Sequence, residues 1–192
     1  MSVRRFNLKE TSIQGVLEIT PFYAVDSRGA FVKDFSQKEF RDKGVEHNLK
    51  EVFYTYSKKG VVRALHFQRV RQQPKLVRCV QGRVWDVVVD LRKESPTFLK
   101  FLTFELEGEK GQSLLIPDGC AHGYLVLEDS IVSYKCSEQF YPEFDDGIRW
   151  NDETLAIPWP LERIGGTQKV ILSDKDKNLQ SLNEFLDRYH GF

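Results

Sequence analysis

Most of this chain is a series of short β-prone runs broken at regular intervals by turn residues, and no other feature narrows its fold as far. "GVLEITPFYAV", "AFVKDF", "KEVFYTYS", "VVRALHFQ", "KLVRCVQ", "RVWDVVVDLR", "TFLKFLTFEL", "QSLLIP", "AHGYLVLE" and "SIVSYKCSEQF" alternate or run apolar over strand length. Between them stand "DSRG", "KKG", Gly82, "EGEKG" and the Asp129–Ser130 pair, which carry turn chemistry. Gly82 is expected to turn one strand into the next, and Asp129–Ser130 to close a hairpin. Roughly nine or ten strands at hairpin spacing predict an all-β sandwich or barrel.

Two segments follow another period. "SQKEFRDKG" is expected to form a short helix, with Ser36 as its cap, Glu39 completing a capping box and Gly44 ending it. In "NLQSLNEFLDRYH", Leu179, Leu182, Phe185, Leu186 and Tyr189 fall on one helical face, so a C-terminal helix should pack on the barrel. No repeat, low-complexity tract or linker interrupts the pattern, and residues 1–192 are expected to form one domain. An all-β cupin-type jelly roll, a double-sheet barrel with a few short helices and a pocket in its mouth, suits this arrangement. Trp85 and Trp150 are expected in its core.

Charge excludes some functions. Twenty-eight basic residues balance twenty-eight acidic ones, so no net field favours nucleic acid. No run approaches the ~18 apolar residues of a membrane span. The opening "MSVRRFNLKE" has no apolar stretch behind its arginines, unlike a secretory signal. Cys79, Cys120 and Cys136 are odd in number and lack CxxC spacing, as expected of buried thiols in a reducing compartment. These features predict a soluble cytoplasmic protein.

His66 of "VVRALHFQ" invites three readings. As a metal ligand it lacks company: Gln68 stands two places on, His122 is distant, and His47 and His190 sit in polar, exposed-looking segments. As a buried structural histidine it would be ordinary. Yet Arg63, Lys75, Arg78, His122 and Tyr134 also lie inside strand-like runs, and burying so many unpaired polar groups is costly. A polar pocket removes that cost. On a flat strand His66 shares a face with Ala64 and Gln68, and Arg63 joins it only if the strand twists or bulges. The third reading is acid–base chemistry: histidine as base, tyrosine as acid, and a lysine or arginine to stabilise an intermediate anion.

The blocks "DSRGAFVKDF", "VVRALHFQ", "KLVRCVQGRVWDVVVDLRKESPTF", "IPDGCAHGYLVLEDS", "YKCSEQFYPE", "GIRWND", "IPWPL" and "LSDKD" occur in an order that resembles the dTDP-4-dehydrorhamnose 3,5-epimerase family over most of the chain. The resemblance implies a metal-free cupin that needs no cofactor and epimerises a nucleotide-linked 4-keto-6-deoxy sugar through an enolate. It implies His66 as base, Asp176 as the carboxylate orienting it, Tyr134 as general acid and Lys75 as the cation near the C4 oxygen. Arg63 and His122 match substrate contacts, Arg28 a nucleotide-diphosphate contact, and Phe140 an aromatic stacked on the base. It also implies a homodimer, because the family's N-terminal strands commonly cross to a partner's sheet.

Departures from the family pattern fall in the substrate region. Ala64 replaces a glycine, Lys33 a glutamate, Glu51 and Phe53 a Gln-x-Asn pair, and Asp145 a glutamate. They suggest an altered substrate pocket and keep alternatives open. These are a C3-only or C5-only epimerase on a CDP- or GDP-linked sugar, a 3,4-ketoisomerase, and a non-enzymatic sugar-binding cupin.

Overall fold

Two long strands organise the molecule. In the computed structural model, which describes residues 2–192, β8 (Lys75–Asp90) and β11 (Cys120–Cys136) pair antiparallel along their whole lengths. Both bend at one level. Gly82 takes φ +76° in β8, and opposite it the register of β11 shifts between Val126 and Ile131. A Cβ at Gly82 would stand 2.2 Å from the Asp129 carbonyl oxygen. Gly82 is therefore no turn and Asp129–Ser130 closes no hairpin, contrary to expectation. Each is a bulge that bends a strand while pairing continues on both sides.

Because they bend, the two strands serve two sheets. The first runs β2 (Asn7–Glu10), β3 (Leu17–Thr20), β10 (Ser113–Ile116), β8, β11 and β6 (Glu51–Ser57). The second runs β9 (Phe101–Glu107), β8, β11, β7 (Val62–Gln68) and β12 (Asp145–Gly147). Val77, Val84, Val88, Ile116, Val126 and Val132 fill the space between them. This is the cupin-type jelly roll. The strand β9 begins later than its sequence suggests, because Ser95 and Thr97 turn back to hydrogen-bond the buried Asp90 carboxylate.

Pro21 divides "GVLEITPFYAV", expected as one strand. Without an N–H it cannot continue the ladder. β3 stays in the barrel, while β4 (Phe22–Asp26) pairs with β5 (Gly29–Lys33) and with β1 (Ser2–Arg4) in a separate three-stranded sheet. The strands β1 and β2 carry too short a pattern to show in sequence.

The first helix, α1 (Gln37–Asp42), starts where Ser36 accepts from the Glu39 N–H at 3.4 Å, and its Phe40 is fully buried. The last, α3 (Leu182–Tyr189), begins one turn after Leu179 with a full Ser181–Glu184 capping box. Its Leu182 and Phe185 are buried, the latter against Phe67 with ring centroids 5.2 Å apart. A single-turn helix, α2 (Asp174–Lys177), is capped by Ser173. Trp150 is buried; Trp85 is only partly so. The three cysteines are buried free thiols. Among the described residues, no helix is long and apolar enough to cross a membrane.

Candidate active site

A cavity of about 180 Å³ opens between the two sheets, and His66, Lys75, His122, Tyr134, Arg63, Phe53, Phe140 and Asp145 all line it. A larger groove of about 700 Å³ lies outside the barrel, behind Asp176. It is a surface trough edged by paired ions such as Arg149–Glu184, and the convergent groups are in the smaller cavity.

His66 comes from the middle of β7 and stands directly opposite His122 of β11. Between this pair and the Arg63–Tyr124 pair the register shifts. That irregularity brings Arg63 and His66 to one pocket, as the bulge expectation requires. Ala64, between them, turns elsewhere: its methyl packs where a Cβ on Gly123 would fall, only 2.3 Å away. The methyl that departs from the family pattern is buried in the core, off the pocket.

The chain end supplies the carboxylate. Ser173 caps α2, accepts from the Asp176 N–H at 3.1 Å and donates its hydroxyl to Asp176 Oδ2 at 2.6 Å. Asp176 Oδ1 accepts from a ring nitrogen of His66 at 2.5 Å. Burial pushes the Asp176 carboxyl up, but the bonds from His66 and Ser173 outweigh it and hold the group below its ordinary value. With the proton fixed on the nitrogen facing Asp176, the other nitrogen of His66 is left as a base. Asp176 is buried, whereas His66 keeps 29% of its side chain accessible.

A second histidine–aspartate pair faces the first. A ring nitrogen of His122 donates to Asp86 Oδ2 at 2.9 Å. Asp86 is fully buried, and its Oδ1 has no hydrogen-bond partner among the described residues. Burial raises the Asp86 carboxyl, partly offset by His122 and Lys75. Burial also lowers the Lys75 ammonium, which Cys136, Asp145 and Asp86 partly restore. Tyr134 is 8% exposed, and burial pushes its phenol well above the ordinary value, so it stays protonated at neutral pH. The Phe53 ring stacks on Tyr134 at 4.7 Å and 13°.

Other expected site residues lie differently. Arg78 faces the opposite side of its sheet and pairs with Asp34 at 3.3 Å. Glu51 does not line the cavity; its carboxylate accepts from the Phe140 N–H at 2.7 Å and fixes that loop. Phe140 sits half exposed at the mouth. Arg28 and Lys33 stand on the β4–β5 hairpin, outside this cavity, Arg28 paired with Asp26 at 2.7 Å and Lys33 over the Phe22 ring. His47, expected to be exposed, is buried against Phe35 and Phe40 and bonds the Lys135 carbonyl at 2.8 Å. Gln68 lines the cavity beside His66, as their shared strand face predicts, and sequence reasoning passed over Thr55, Gln73 and Lys175, which line it too. Lys175 pairs with Asp145 across the mouth. Its place beside Asp176 in "LSDKD" was the available signal. Asp86 was hidden in an apolar strand run, and only its neighbour in space, His122, reveals it.

Residues 10–184 match the family model described as dTDP-4-dehydrorhamnose 3,5-epimerase. The chain belongs to that family. It is 41% identical over 180 residues to the dTDP-4-dehydrorhamnose 3,5-epimerase of Methanothermobacter thermautotrophicus, covering 93% of this chain and 96% of the relative. To the Escherichia coli K12 enzyme of the same name it is 42% identical over 183 residues, covering 94% and 96%. Among solved structures, the Legionella pneumophila dTDP-6-deoxy-D-glucose-3,5-epimerase in complex with dTDP-4-keto-L-rhamnose aligns with a TM-score of 0.87 and 36% identity. That alignment covers 93% of this chain and 94% of the other. Membership makes this chain an isomerase of the epimerase class.

Proposed function

We propose that this chain inverts C3 and C5 of a dTDP-linked 4-keto-6-deoxy sugar by proton abstraction and reprotonation through an enolate. The observation that carries the reading is the His66–Asp176 pair at 2.5 Å, opening on the same cavity as Tyr134 and Lys75. The C4 ketone acidifies the protons on its two neighbouring carbons. His66 takes one, Asp176 stabilises the imidazolium, and Lys75, with Arg63 and His122, stabilises the enolate oxygen. Tyr134 returns a proton on the opposite face. A cavity of about 180 Å³ suits a hexose ring, with the nucleotide lying outward past Phe140 and Asp145.

Relatives on both sides of the comparison are named as dTDP-sugar epimerases, which favours the dTDP sugar over CDP and GDP analogues. Three unpaired buried thiols support a cytoplasmic location. The outer surface supports a homodimer: Val25 and Phe31 on the hairpin sheet and Val52, Tyr54 and Tyr56 on the edge strand β6 are exposed. In such a dimer Arg28 and Lys33 would reach the substrate of the second copy, since they lie outside the cavity of their own chain.

The test is turnover of dTDP-4-keto-6-deoxyglucose, followed by NMR of the product, for the wild type and for His66→Ala. The wild type should epimerise, and the variant should lose ~10²–10⁴ of the rate, the range for a positioned base. An unaffected variant, or a wild type inert toward this sugar, would contradict the reading.

A further inference from the structure

The proposed acid is braced by a ring that the mechanism does not use. Phe53 of β6 stands directly opposite Tyr134 of β11 in the strand register. Their rings lie face to face, with centroids 4.7 Å apart and planes 13° from parallel. The His122 ring meets Tyr134 edge to face as well, at 6.0 Å and 73°. All three rings line the cavity. Alternation along β6 turns Phe53 inward, while its neighbours Val52 and Tyr54 are exposed. Phe53 also stands where the Gln-x-Asn pattern has its asparagine, and an amide offers no aromatic face to a phenol ring.

Inversion is a competition for the enolate. Once His66 has taken a proton from carbon, a proton returned by His66 to the same face restores the starting configuration. A proton delivered by Tyr134 to the opposite face inverts the carbon. The phenol oxygen rides at the end of two rotatable side-chain bonds, and a misplacement of about 1 Å at a reacting group can cost on the order of 10²-fold. We propose that Phe53 is a positioning residue that keeps the Tyr134 phenol aimed at the enolate, and so sets the fraction of enolates that are inverted rather than returned. In the inverting step the C–H electron pair passes to the C4 oxygen as His66 takes the proton. It returns to the same carbon as that carbon accepts the Tyr134 proton, leaving His66 protonated and Tyr134 as phenolate until solvent restores both. Phe53 has no proton to give and acts through Tyr134. The inference rests on the function proposed above.

Exchange weighed against inversion tests it, in D₂O with dTDP-4-keto-6-deoxyglucose, for the wild type, Phe53→Leu, Phe53→Asn and Phe53→Tyr. NMR of one sample reads two quantities: deuterium in sugar that keeps its configuration, and inverted sugar. Phe53→Leu and Phe53→Asn should raise the ratio of the first to the second by about two- to tenfold, the range that loss of a stacked aromatic pair supports. Phe53→Tyr keeps a ring in place and should retain the wild-type ratio. A wild-type ratio in both ring-deleting variants overturns the positioning role, including the case in which exchange and inversion fall together, as general damage to the cavity would make them. A Phe53→Tyr ratio raised as far as that of Phe53→Leu overturns it too. A wild type that neither exchanges nor inverts overturns the function on which the inference rests.

Discussion

In the proposed mechanism His66 works as a base only while one ring nitrogen is held protonated, which the 2.5 Å bond to Asp176 favours. Removing the opposite partner should separate the two half-reactions. Tyr134→Phe should still exchange a substrate proton with solvent while its epimerised product falls by ~10²-fold or more; equal loss of exchange and product would argue against Tyr134 as the acid. Lys75 gives the pH dependence. Burial lowers its ammonium, so the cation proposed to stabilise the enolate oxygen is present at low pH and lost below the ~10.4 of an ordinary lysine. The basic limb of kcat/KM should therefore fall before pH ~10.4, and Lys75→Arg should move that limb upward. A limb unaffected by the substitution would place it elsewhere. At this scale the sequence was informative where a residue type stood out from its strand. His66, Lys75, His122 and Tyr134 are polar groups in apolar runs, and all four reach the cavity. Arg78 has the same signature and faces away, as its odd spacing from Lys75 on the unbroken first part of β8 requires: residue type alone does not say which face of a strand a side chain takes.

The elements that place these residues are β7, β8 and β11, and the bend they share decides the pocket. At Gly82 a side chain meets both a left-handed φ of +76° and the Asp129 carbonyl. Gly82→Ala should cost about 1–3 kcal/mol from the backbone conformation alone, with the carbonyl contact adding to it. Urea unfolding would measure this, and a midpoint equal to the wild type would show that the bend is not needed. Turn residues in the sequence do not distinguish a bulge from a hairpin, since both require glycine or short polar side chains. That is why β8 and β11 look like four strands when read from the chain alone. Pro21 acts in the reverse direction: one apparent strand becomes two, in different sheets. The helices were more legible: Ser36 caps the first as expected, though among the described residues Glu39 makes no return bond to complete a box, and the apolar face of the last is buried at Leu182 and Phe185.

For the whole molecule, alternation and turn spacing pointed to a barrel, and the block order pointed to the family. What sequence patterning could not show was which surface is left open. The exposed Tyr54 and Tyr56 lie on β6, a strand paired on one side only, to β11, among the described residues. An unprotected apolar edge of this kind is normally covered. Analytical ultracentrifugation should find a dimer, and Tyr54→Lys with Tyr56→Lys should shift it toward monomer with unchanged circular dichroism. A wild-type monomer would contradict the proposed assembly.

The most direct test of the central claim is the position of deuterium. The protein is incubated in D₂O with dTDP-4-keto-6-deoxyglucose, and C3 and C5 are followed by NMR. The His66–Asp176–Tyr134 arrangement predicts label at both carbons in the epimerised sugar, and none with His66→Ala. Epimerised product without label at either carbon would mean that no proton is exchanged at His66 and Tyr134, and would contradict the account.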